Sequence, residues 1–553
     1  MRHRHDLVPA RDGARLATDV YLPDLGGPAP AVLHRTPYGK LGAGAVADAE
    51  WWAQHGYAAV VQDVRGRHDS DGDWEPYGLH EGPDGHDTVE WIARQPWSTG
   101  AVAAAGSSYA AFAAFMAALT GPPALRALVT RVPASGLYHH HFYSGGVFSL
   151  ARLAWGTQVS RRVQQEVRSD GGPGRGVFDA LAGEDPDIVL HLPVADIGDR
   201  FPMRISWWRE WLEHPTEDEY WRARQVLHRF DRIRIPVYHI GGWHDDFVAV
   251  PPANFIAAVA ASPAVPHRLL MGMWPHALNE RPDYGGLDYG PDAVIDLRAR
   301  EKQWLDRWLR GEPDALAGEP PVRLFVMGPN AWRCYARWPP ETTTDRPLYL
   351  RTGEQLAFDR PGAEPPDGYR YDPARPAPQP WDFGEWDMPA LPAWPLDPSR
   401  RPDRLLYASP PLSAPLTVIG SVRLRLHAAS TAPDTDWFAW VAWDDPVTGQ
   451  TRLLTYGYCL RARFRQGFDR PILLDPGAIV AYDIDLGATA RVLPAGARLR
   501  CCIQSSCAPW FSRNLNTGGD NYRETSGKVA DQTVYHDDAR PSALILPIEP
   551  DDA

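Results

Sequence analysis

The chain has little cysteine, a deficit of positive charge and no long apolar run. None of its five cysteines forms a C-x-x-C pair, so neither a disulfide framework nor a zinc site of that spacing is predicted, and we expect free, mostly buried thiols. No segment approaches the roughly 18 consecutive apolar residues of a transmembrane helix. The N-terminal stretch MRHRHDLVPARDG also lacks the apolar region of a signal peptide. These absences predict a cytoplasmic protein.

The charge deficit excludes two kinds of partner. The chain carries 69 acidic against 56 basic residues, a formal net charge of −13 at pH 7. Nucleic acids and anionic membrane surfaces are bound through positive patches, so neither is expected. A small-molecule substrate is the remaining expectation, and the composition leaves a homo-oligomer open. The 553 residues are enough for two or three domains, each with its own core.

Short apolar runs alternate with helical segments over much of the first 317 residues. This alternation predicts a mostly parallel sheet with helices on both faces, an α/β core built from residues 1–134 and 231–317. The runs are AVLHRTPY (31–38), AAVVQDV (58–64), AVAAAGSS (101–108), ALVTRV (127–132), PVYHIGG (236–242) and HRLLMGM (267–273). Residues 135–230 interrupt the pattern with helical, aromatic sequence. We predict that they form a helical cap over the carboxyl edge of the sheet, where sites of α/β proteins lie.

The last part of the chain has a different period. In SVRLRLHAAS (421–430), apolar residues alternate with polar ones, as in a half-buried strand. Similar segments recur between stretches rich in proline and aspartate. Residues 318–553 are therefore predicted to form an all-β domain, a sandwich or a jelly roll.

The stretch GSSYAAF (106–112) joins an apolar run to a helical segment. A serine at such a strand-to-helix turn is the nucleophile in one large group of hydrolases, where the motif is G-x-S-x-G. The spacing from Gly106 favours Ser108 over the adjacent Ser107. The second glycine of that motif is missing here.

Two later strands end in the groups that a serine nucleophile needs, an imidazole base and a carboxylate that holds the imidazole. PVYHIGG leads into WHDDF, with Asp245 and Asp246, and HRLLMGM leads into WPHALNE, with His276. The chain order of serine, acid and histidine is that of α/β hydrolases. We predict Ser108, Asp245 and His276 as catalytic residues. Asp246 stays open as the alternative acid, and His244 is interpreted as a rim residue.

The sequence also offers two donors for an oxyanion. The backbone N–H of Tyr109 directly follows the nucleophile and is placed by the turn itself. The loop TPYGK (36–40) follows an early strand, and its proline has no N–H to donate. The hydroxyl of Tyr38 is therefore the predicted second donor.

With these motifs the chain resembles the cocaine-esterase-like and X-prolyl dipeptidyl-peptidase family of serine hydrolases. The resemblance covers nearly the whole chain, and the predicted cap is its least recognisable part. In the core it rests on HRTPYGK, QDVRGRHDSDG, EGPDGHDTVEWIARQPWSTG, GSSY, HIGGWHDDF and MGMWPH. In the C-terminal part it rests on FVMGPNAWR, YASPPL, PWFSRNLNTGG and VYHDDARPSALILPI.

The resemblance implies an α/β-hydrolase core, an inserted helical cap and a C-terminal jelly roll like that of X-prolyl dipeptidyl-peptidases. It also implies a nucleophile at Ser108, a triad acid at Asp245 and a base at His276. The oxyanion donors that it implies are the Tyr38 hydroxyl and the Tyr109 N–H. Neither a metal ion nor an organic cofactor is required.

The elbow of this family reads G-x-S-Y-x-G, which places its second glycine at Ala111. Alanine favours the helix that starts there, and its methyl group is expected only to widen the gap between that helix and a neighbouring strand. Gly106 is retained. We therefore predict a working nucleophile.

Other features are assigned no chemistry. The run His139–His141 is interpreted as cap surface or pocket lining and not as a metal site. Three consecutive residues on a regular element cannot all face one ion, and no carboxylate lies close by in sequence. For Arg65, a structural ion pair is favoured over a role in binding a substrate carboxylate. Whether Trp243 and Trp274 belong to the core or wall a pocket stays open.

The function expected from these residues is hydrolysis of a small carboxylic ester or amide through an acyl-enzyme. The same triad would serve an acyltransferase or amide-forming enzyme, while its intact residues argue against a non-catalytic binding protein. A third alternative, an X-prolyl or aminoacyl peptidase, needs an acidic subsite for the substrate amino group. Carboxylates of the predicted cap that are candidates for such a subsite are Glu166, Asp170, Glu184, Asp185 and Asp187. None of them can be placed at the pocket from sequence, so simple ester hydrolysis is favoured.

Overall fold

The structure is a computed structural model. It describes residues 1–24, 26–152, 155–156, 159, 190–200, 206–313, 315–378 and 401–550. The five candidate carboxylates of the predicted cap lie outside the described residues.

A ten-stranded sheet forms the first part of the described structure. Its strands are β1 (Arg2–Pro9), β2 (Arg15–Leu22), β3 (Ala29–Thr36), β4 (Ala58–Asp63), β5 (Ser98–Ser107), β6 (Leu125–Arg131), β9 (Val237–Gly242), β10 (His267–Gly272), β13 (Val322–Val326) and β14 (Ala331–Tyr335). Their order is β1-β2-β4-β3-β5-β6-β9-β10-β13-β14. Strands β11 (Asp283–Tyr284) and β12 (Leu287–Asp288) form a separate antiparallel hairpin. The strands from β4 to β13 in this order are parallel, so their carboxyl ends meet at one edge. The central strands are buried on both faces, as expected for a sheet covered by helices.

Helices make the crossovers that parallel strands require. The described α-helices are α1 (Ala43–Gln54), α2 (Glu81–Ala93), α3 (Tyr109–Leu119), α4 (Ser206–Glu213), α5 (Glu219–Arg224), α6 (Val250–Ala261) and α7 (Leu297–Leu305). Helix α3 is rich in alanine and buries every one of its residues. Among the described residues, none of the helices has the length and apolar character needed to cross a membrane.

A second sheet of eleven strands forms the C-terminal part. The strands are β15 (Thr344–Arg351), β16 (Gln355–Ala357), β17 (Asp367–Tyr371), β18 (Arg404–Ala408), β19 (Leu416–Ser430), β20 (Asp436–Asp444), β21 (Thr451–Arg461), β22 (Val480–Leu493), β23 (Arg498–Gln504), β24 (Ala530–Tyr535) and β25 (Ala543–Glu549). Strand β19 buries Val422 and Leu424 and exposes Arg423 and Arg425, which confirms the half-buried strand predicted there. An α/β sheet followed by an all-β part is thus the architecture.

Strands β13 and β14 join the first sheet, although a boundary after residue 317 assigns them to the C-terminal part. Leu269 of β10 pairs with Val322 of β13, and β14 then pairs antiparallel with β13. A strand of five buried or half-buried residues has the same sequence pattern in either sheet. The pattern therefore does not predict which strand it pairs with. The last two strands of the first sheet therefore lie within residues 318–553, the predicted β domain.

Between β6 and β9 the described residues form short elements. They are a π-helical turn (Leu137–Phe142), the hairpin β7 (Tyr143–Ser144) and β8 (Val147–Phe148), two 3₁₀ segments (Val194–Arg200 and Leu227–Arg232), and helices α4 and α5. Asp218 caps α5, since its side chain accepts from Tyr220 N at 3.0 Å. These elements are inserted between two strands of the first sheet and contact both sheets.

The β7–β8 hairpin is pressed against the second sheet at its two glycines. Arg461 N donates to Gly145 O at 2.8 Å. A Cβ on Gly145 would overlap the carbonyl oxygen of Cys459 in β21, and one on Gly146 would overlap the ring of Phe464. Only glycine allows this approach, which fixes the insertion to the C-terminal part.

We predict that Gly145→Ala destabilises the protein more than Gly286→Ala does. Both glycines have a left-handed φ, 52° and 73°, so both variants carry the same kind of backbone strain. At Gly286 the nearest side-chain atom, of Arg452, is 4.0 Å from the added methyl group, so overpacking is confined to Gly145→Ala. The expected additional loss in the free energy of unfolding is about 1–3 kcal/mol, measured by denaturant unfolding. Equal losses would mean that the hairpin is not held tightly.

Candidate active site

Ser108 lies in a strained turn between β5 and α3. Its φ is 56° and its ψ is −117°, a conformation that a residue with a Cβ adopts only when its surroundings enforce it. Ser108 N donates to Arg131 O at 3.0 Å, and Phe112 N donates to Ser108 O at 3.1 Å. The turn is thereby tied to the neighbouring strand β6 and to the helix that follows. The serine itself is half-buried.

Gly106 is what allows the helix to fold back so closely onto the strand. A Cβ at this position would lie 2.5 Å from the carbonyl carbon of Ala110, closer than real side chains come. Ala111, in the position of the missing second glycine, is fully buried within α3. The turn and the helix form with alanine at this position.

Asp245 and His276 are brought together by two backbone hydrogen bonds between the loops that carry them. Trp243 N donates to Gly272 O at 2.9 Å, and His244 N donates to Trp274 O at 3.0 Å. These bonds extend the pairing of β9 with β10 beyond the ends of the strands. The segments that follow the two strands therefore stay side by side.

His276 Nδ1 lies 2.9 Å from Asp245 Oδ1, within hydrogen-bond distance, and Asp245 is completely buried. The same nitrogen is 3.9 Å from Asp246 Oδ1, which is too far for a hydrogen bond. Asp246 Oδ2 instead accepts from Arg152 Nη2 at 2.8 Å. Of the two adjacent carboxylates, Asp245 is the one that holds the imidazole.

Burial and the neighbouring charges shift the pKa values of His276 and the two carboxylates. Burial raises the pKa of Asp245 to about 6, while the nearby His276 acts against that rise. Burial also disfavours the imidazolium, but the charge of Asp245 outweighs it and raises the pKa of His276 above its ordinary value. Burial acts to raise the pKa of Asp246 as well, and the Arg152 guanidinium overcomes it and holds that pKa below its usual range. An ionised Asp245 accepts from Nδ1–H, which leaves Nε2 of His276 as a free base.

Tyr38 follows β3, the neighbour of the strand that ends directly before Ser108. Its hydroxyl oxygen accepts from Trp155 Nε1 at 3.2 Å, and its backbone N donates to Thr36 Oγ1 at 3.0 Å. The ring is therefore fixed from both ends at the carboxyl edge of the sheet.

Tyr109 is the first residue of α3, and the first N–H groups of a helix have no partner within it. The side chain of Tyr109 has a separate, structural contact: its hydroxyl donates to the buried Glu81 Oε1 at 2.8 Å. Trp74 Nε1 and Tyr77 N each lie 3.3 Å from the same hydroxyl oxygen. These bonds anchor the start of α3.

Several groups near the predicted residues were not found from sequence. Phe247 packs edge-on against His276 with 5.4 Å between ring centroids, and the Arg152 guanidinium lies over the Phe247 ring at 5.2 Å from its centroid. Tyr458, from the second sheet, donates its hydroxyl to Asp246 O at 3.3 Å. Phe247 stands two residues after the acid and could have been proposed for that reason. Arg152 and Tyr458 carry no local signal, since they are distant in the chain.

The histidine run divides between two environments. His140 and His141 line a cavity of about 40 Å³ that Arg152, Asp246 and Tyr458 also line. Burial lowers the pKa of His140 to about 3 and that of His141 well below its ordinary value, so both rings are neutral. His140 and His141 are therefore pocket-lining residues.

The other residues considered from sequence make contacts that stabilise the fold. Arg65 pairs with Asp84 at 2.6 Å and with Asp12 at 2.8 Å, the ion pair favoured from sequence. Trp243 and Trp274 are buried and donate to backbone carbonyls of the core, of Phe325 and Ala293. His244 is not on the rim, because it is buried with Nε2 3.0 Å from the hydroxyl of Tyr289. Its position after a core strand turns the ring inward.

Comparison with known families matches almost the whole chain to two models. Residues 12–278 match the X-Pro dipeptidyl-peptidase (S15 family) model, and residues 314–545 match the X-Pro dipeptidyl-peptidase C-terminal non-catalytic domain. Over 570 residues the chain is 33% identical to cocaine esterase of a Rhodococcus species, covering 98% of this chain and 97% of that protein.

Two solved structures superpose on nearly the whole chain. An aminopeptidase from a marine sediment archaeon of the Thaumarchaeota superposes with a TM-score of 0.84 at 25% identity, covering 99% of this chain and 96% of the other. An alpha-amino acid ester hydrolase superposes with a TM-score of 0.87 at 24% identity and the same coverage, which shows a shared fold. The chain belongs to the cocaine-esterase-like and X-prolyl dipeptidyl-peptidase family and is a serine hydrolase that acts on esters or peptides.

Proposed function

We propose that the chain hydrolyses small carboxylic esters through an acyl-enzyme on Ser108, with His276 as the base and Asp245 as the acid that orients it. The observation that carries the proposal is the 2.9 Å contact between His276 Nδ1 and Asp245 at the sheet edge where the strained Ser108 lies. His276 Nε2 takes the proton of Ser108 Oγ as that oxygen attacks the carbonyl carbon. The imidazolium then protonates the leaving alcohol, and the same nitrogen activates water for deacylation.

The oxyanion that forms in each half-reaction is held by the Tyr38 hydroxyl and the Tyr109 N–H. One donor follows β3, which neighbours β5, and the other starts α3 directly after Ser108. A preorganised donor in a site that excludes water contributes on the order of 3 kcal/mol to the transition state. No metal or organic cofactor takes part in these steps.

The insertion between β6 and β9 is proposed to act as a helical cap, and the C-terminal part to be a jelly roll that closes the site. Two observations support this arrangement. Trp155 of the insertion bonds to the Tyr38 hydroxyl, and Tyr458 of the second sheet bonds to Asp246. The domain limits 1–134, 231–317, 135–230 and 318–553 remain predictions.

Ester hydrolysis is proposed over release of dipeptides or amino acids. The relative at 33% identity is a cocaine esterase, whereas a peptidase of this family must hold a substrate amino group on a carboxylate. The carboxylate beside the proposed triad acid, Asp246, is already paired with Arg152 at 2.8 Å and is therefore a poor partner for a substrate amino group.

The proposal is tested by comparing Ser108→Ala with Ser107→Ala on small p-nitrophenyl esters. We expect the first variant to lose activity by at least about 10⁴-fold and the second to keep it within about tenfold. X-prolyl and aminoacyl p-nitroanilides should turn over more slowly than the esters. If the anilides are preferred, the enzyme is a peptidase. If an added amine takes most of the acyl group in place of water, it is an acyltransferase.

The two adjacent carboxylates give a matched pair of variants. Activity requires neutral His276, so kcat/KM falls as the pH drops through the His276 pKa, which Asp245 raises. In Asp245→Asn we expect kcat to fall by about 10³–10⁴-fold and the acidic limb to move to lower pH, because the charge that raised this pKa is gone.

In Asp246→Asn the loss should stay below about tenfold, since that carboxylate is bonded to Arg152 and not to the imidazole. Measured pH–rate profiles of both variants decide the assignment. The opposite ranking of the two losses would make Asp246 the acid of the triad.

Removal of the Tyr38 hydroxyl tests the oxyanion site. Tyr38→Phe should lower kcat by about 10²–10³-fold with KM nearly unchanged, because the lost bond forms in the transition state. Tyr138→Phe is the control, since it removes a hydroxyl that bonds to Pro215 O at 2.8 Å away from the turn. A Tyr38→Phe enzyme with normal kcat would assign the second donor elsewhere.

A further inference from the structure

His139 does not share the surroundings of the two histidines that follow it. Its Nε2 lies 3.1 Å from Glu217 Oε2, and His228 Nε2 lies 3.5 Å from Glu217 Oε1. The ligand atoms of these three residues are all within 4.8 Å of one another. The carboxylate absent from the neighbouring sequence is thus supplied by the chain some 80 residues later.

We propose that His139, Glu217 and His228 form a zinc site, independent of the catalytic residues. In tetrahedral Zn²⁺ coordination with bonds of about 2.0–2.1 Å, neighbouring ligand atoms are about 3.4 Å apart. The separations of 3.1 Å to Glu217 Oε2 and 3.5 Å to Glu217 Oε1 are close to that value, and a single ligand atom from each residue lies within 4.8 Å of the other two. Two imidazoles and one carboxylate leave the fourth position for water.

The donor set selects the metal. Two imidazole nitrogens favour zinc and similar transition ions over Ca²⁺ and Mg²⁺, which prefer oxygen ligands. In the metal-free protein each Nε2 faces a carboxylate oxygen of Glu217 at ion-pair distance. Metal binding needs the lone pair of each Nε2, so the neutral rings must then carry their proton on Nδ1.

The central ligand is already held in place. Glu217 N donates to Phe468 O at 2.8 Å, and Gln225 Nε2 donates to Glu217 Oε1 at 2.7 Å. The His139 ring packs against the Phe468 ring with 5.0 Å between centroids. Such outer contacts orient metal ligands and strengthen binding. The His228 side chain is 60% exposed, which gives an ion access from solvent.

Two other clusters in the described part of the chain are less suited to bind zinc. His214 Nδ1 lies 2.6 Å from Asp218 Oδ2, but that pair has a single nitrogen ligand. Asp245, Asp246 and His276 also lie close enough to hold an ion. There the guanidinium of Arg152 bonds to Asp246 and opposes a second positive charge.

A bound ion would join three short elements of the insertion: the π-helical turn Leu137–Phe142, the segment before α5 and the 3₁₀ segment Leu227–Arg232. His140 and His141, which line the cavity, directly follow one ligand. Zinc would therefore fix one wall of that cavity without touching the reacting atoms.

The test is a Zn²⁺ titration of the full-length, untagged, metal-stripped protein in competition with a chromophoric chelator. We expect one Zn²⁺ per chain, with affinity lowered at least about tenfold in His228→Ala and in Glu217→Gln. His214→Ala is the matched control and should bind as the unaltered protein does. Co²⁺ should give the intense visible absorption of tetrahedral coordination in the unaltered protein and lose it in His228→Ala.

Folding is checked in the same samples. Because the His228 side chain is largely exposed, its replacement should not change the metal-free melting temperature, while added Zn²⁺ should raise that temperature only where the site is intact. Unchanged zinc affinity in both His228→Ala and Glu217→Gln would overturn the proposal. So would binding that is lost in His276→Ala, since the ion would then sit on the catalytic pair.

Discussion

The left-handed conformation of Ser108 is the constraint on which the rest of the site depends. A φ of 56° at a residue with a Cβ is costly, and it persists because α3 packs directly against the end of β5. That packing needs Gly106, where a methyl group would meet Ala110. Since β3, β5, β9 and β10 are parallel, the residues that follow them meet at the same edge as this serine. The sheet thereby gathers Tyr38, Ser108, Asp245 and His276 from distant parts of the chain.

Charge at this edge is arranged so that one carboxylate serves the imidazole and the next does not. Asp245 is buried against His276, while Asp246 faces Arg152 of the insertion and Tyr458 of the second sheet. The insertion also contributes Trp155, which fixes the Tyr38 hydroxyl. Residues from three parts of the chain therefore contact one another at this edge, including one from the C-terminal part, which the matching family model calls non-catalytic.

Much of this arrangement could be predicted from local sequence because it depends on where strands end. The apolar runs at 58–64 and 267–273 match β4 and β10 within one residue, and Ser108, Asp245 and His276 follow their strands as expected. Contacts made across the chain could not be predicted. Arg152 meets Asp246, and His139 meets Glu217, through folding of an insertion whose sequence shows no clear period. The pairing of β13 with β10 could also not be predicted from sequence, because a short apolar strand has the same pattern whichever strand it pairs with.

The most direct test of the account is the intact mass of the protein after treatment with a fluorophosphonate, with the modified peptide then sequenced. The account predicts a single adduct on Ser108 and none in His276→Ala, because only a serine beside a working base reacts. An adduct on another residue would contradict it. So would the absence of any adduct in an enzyme that still hydrolyses a small activated ester.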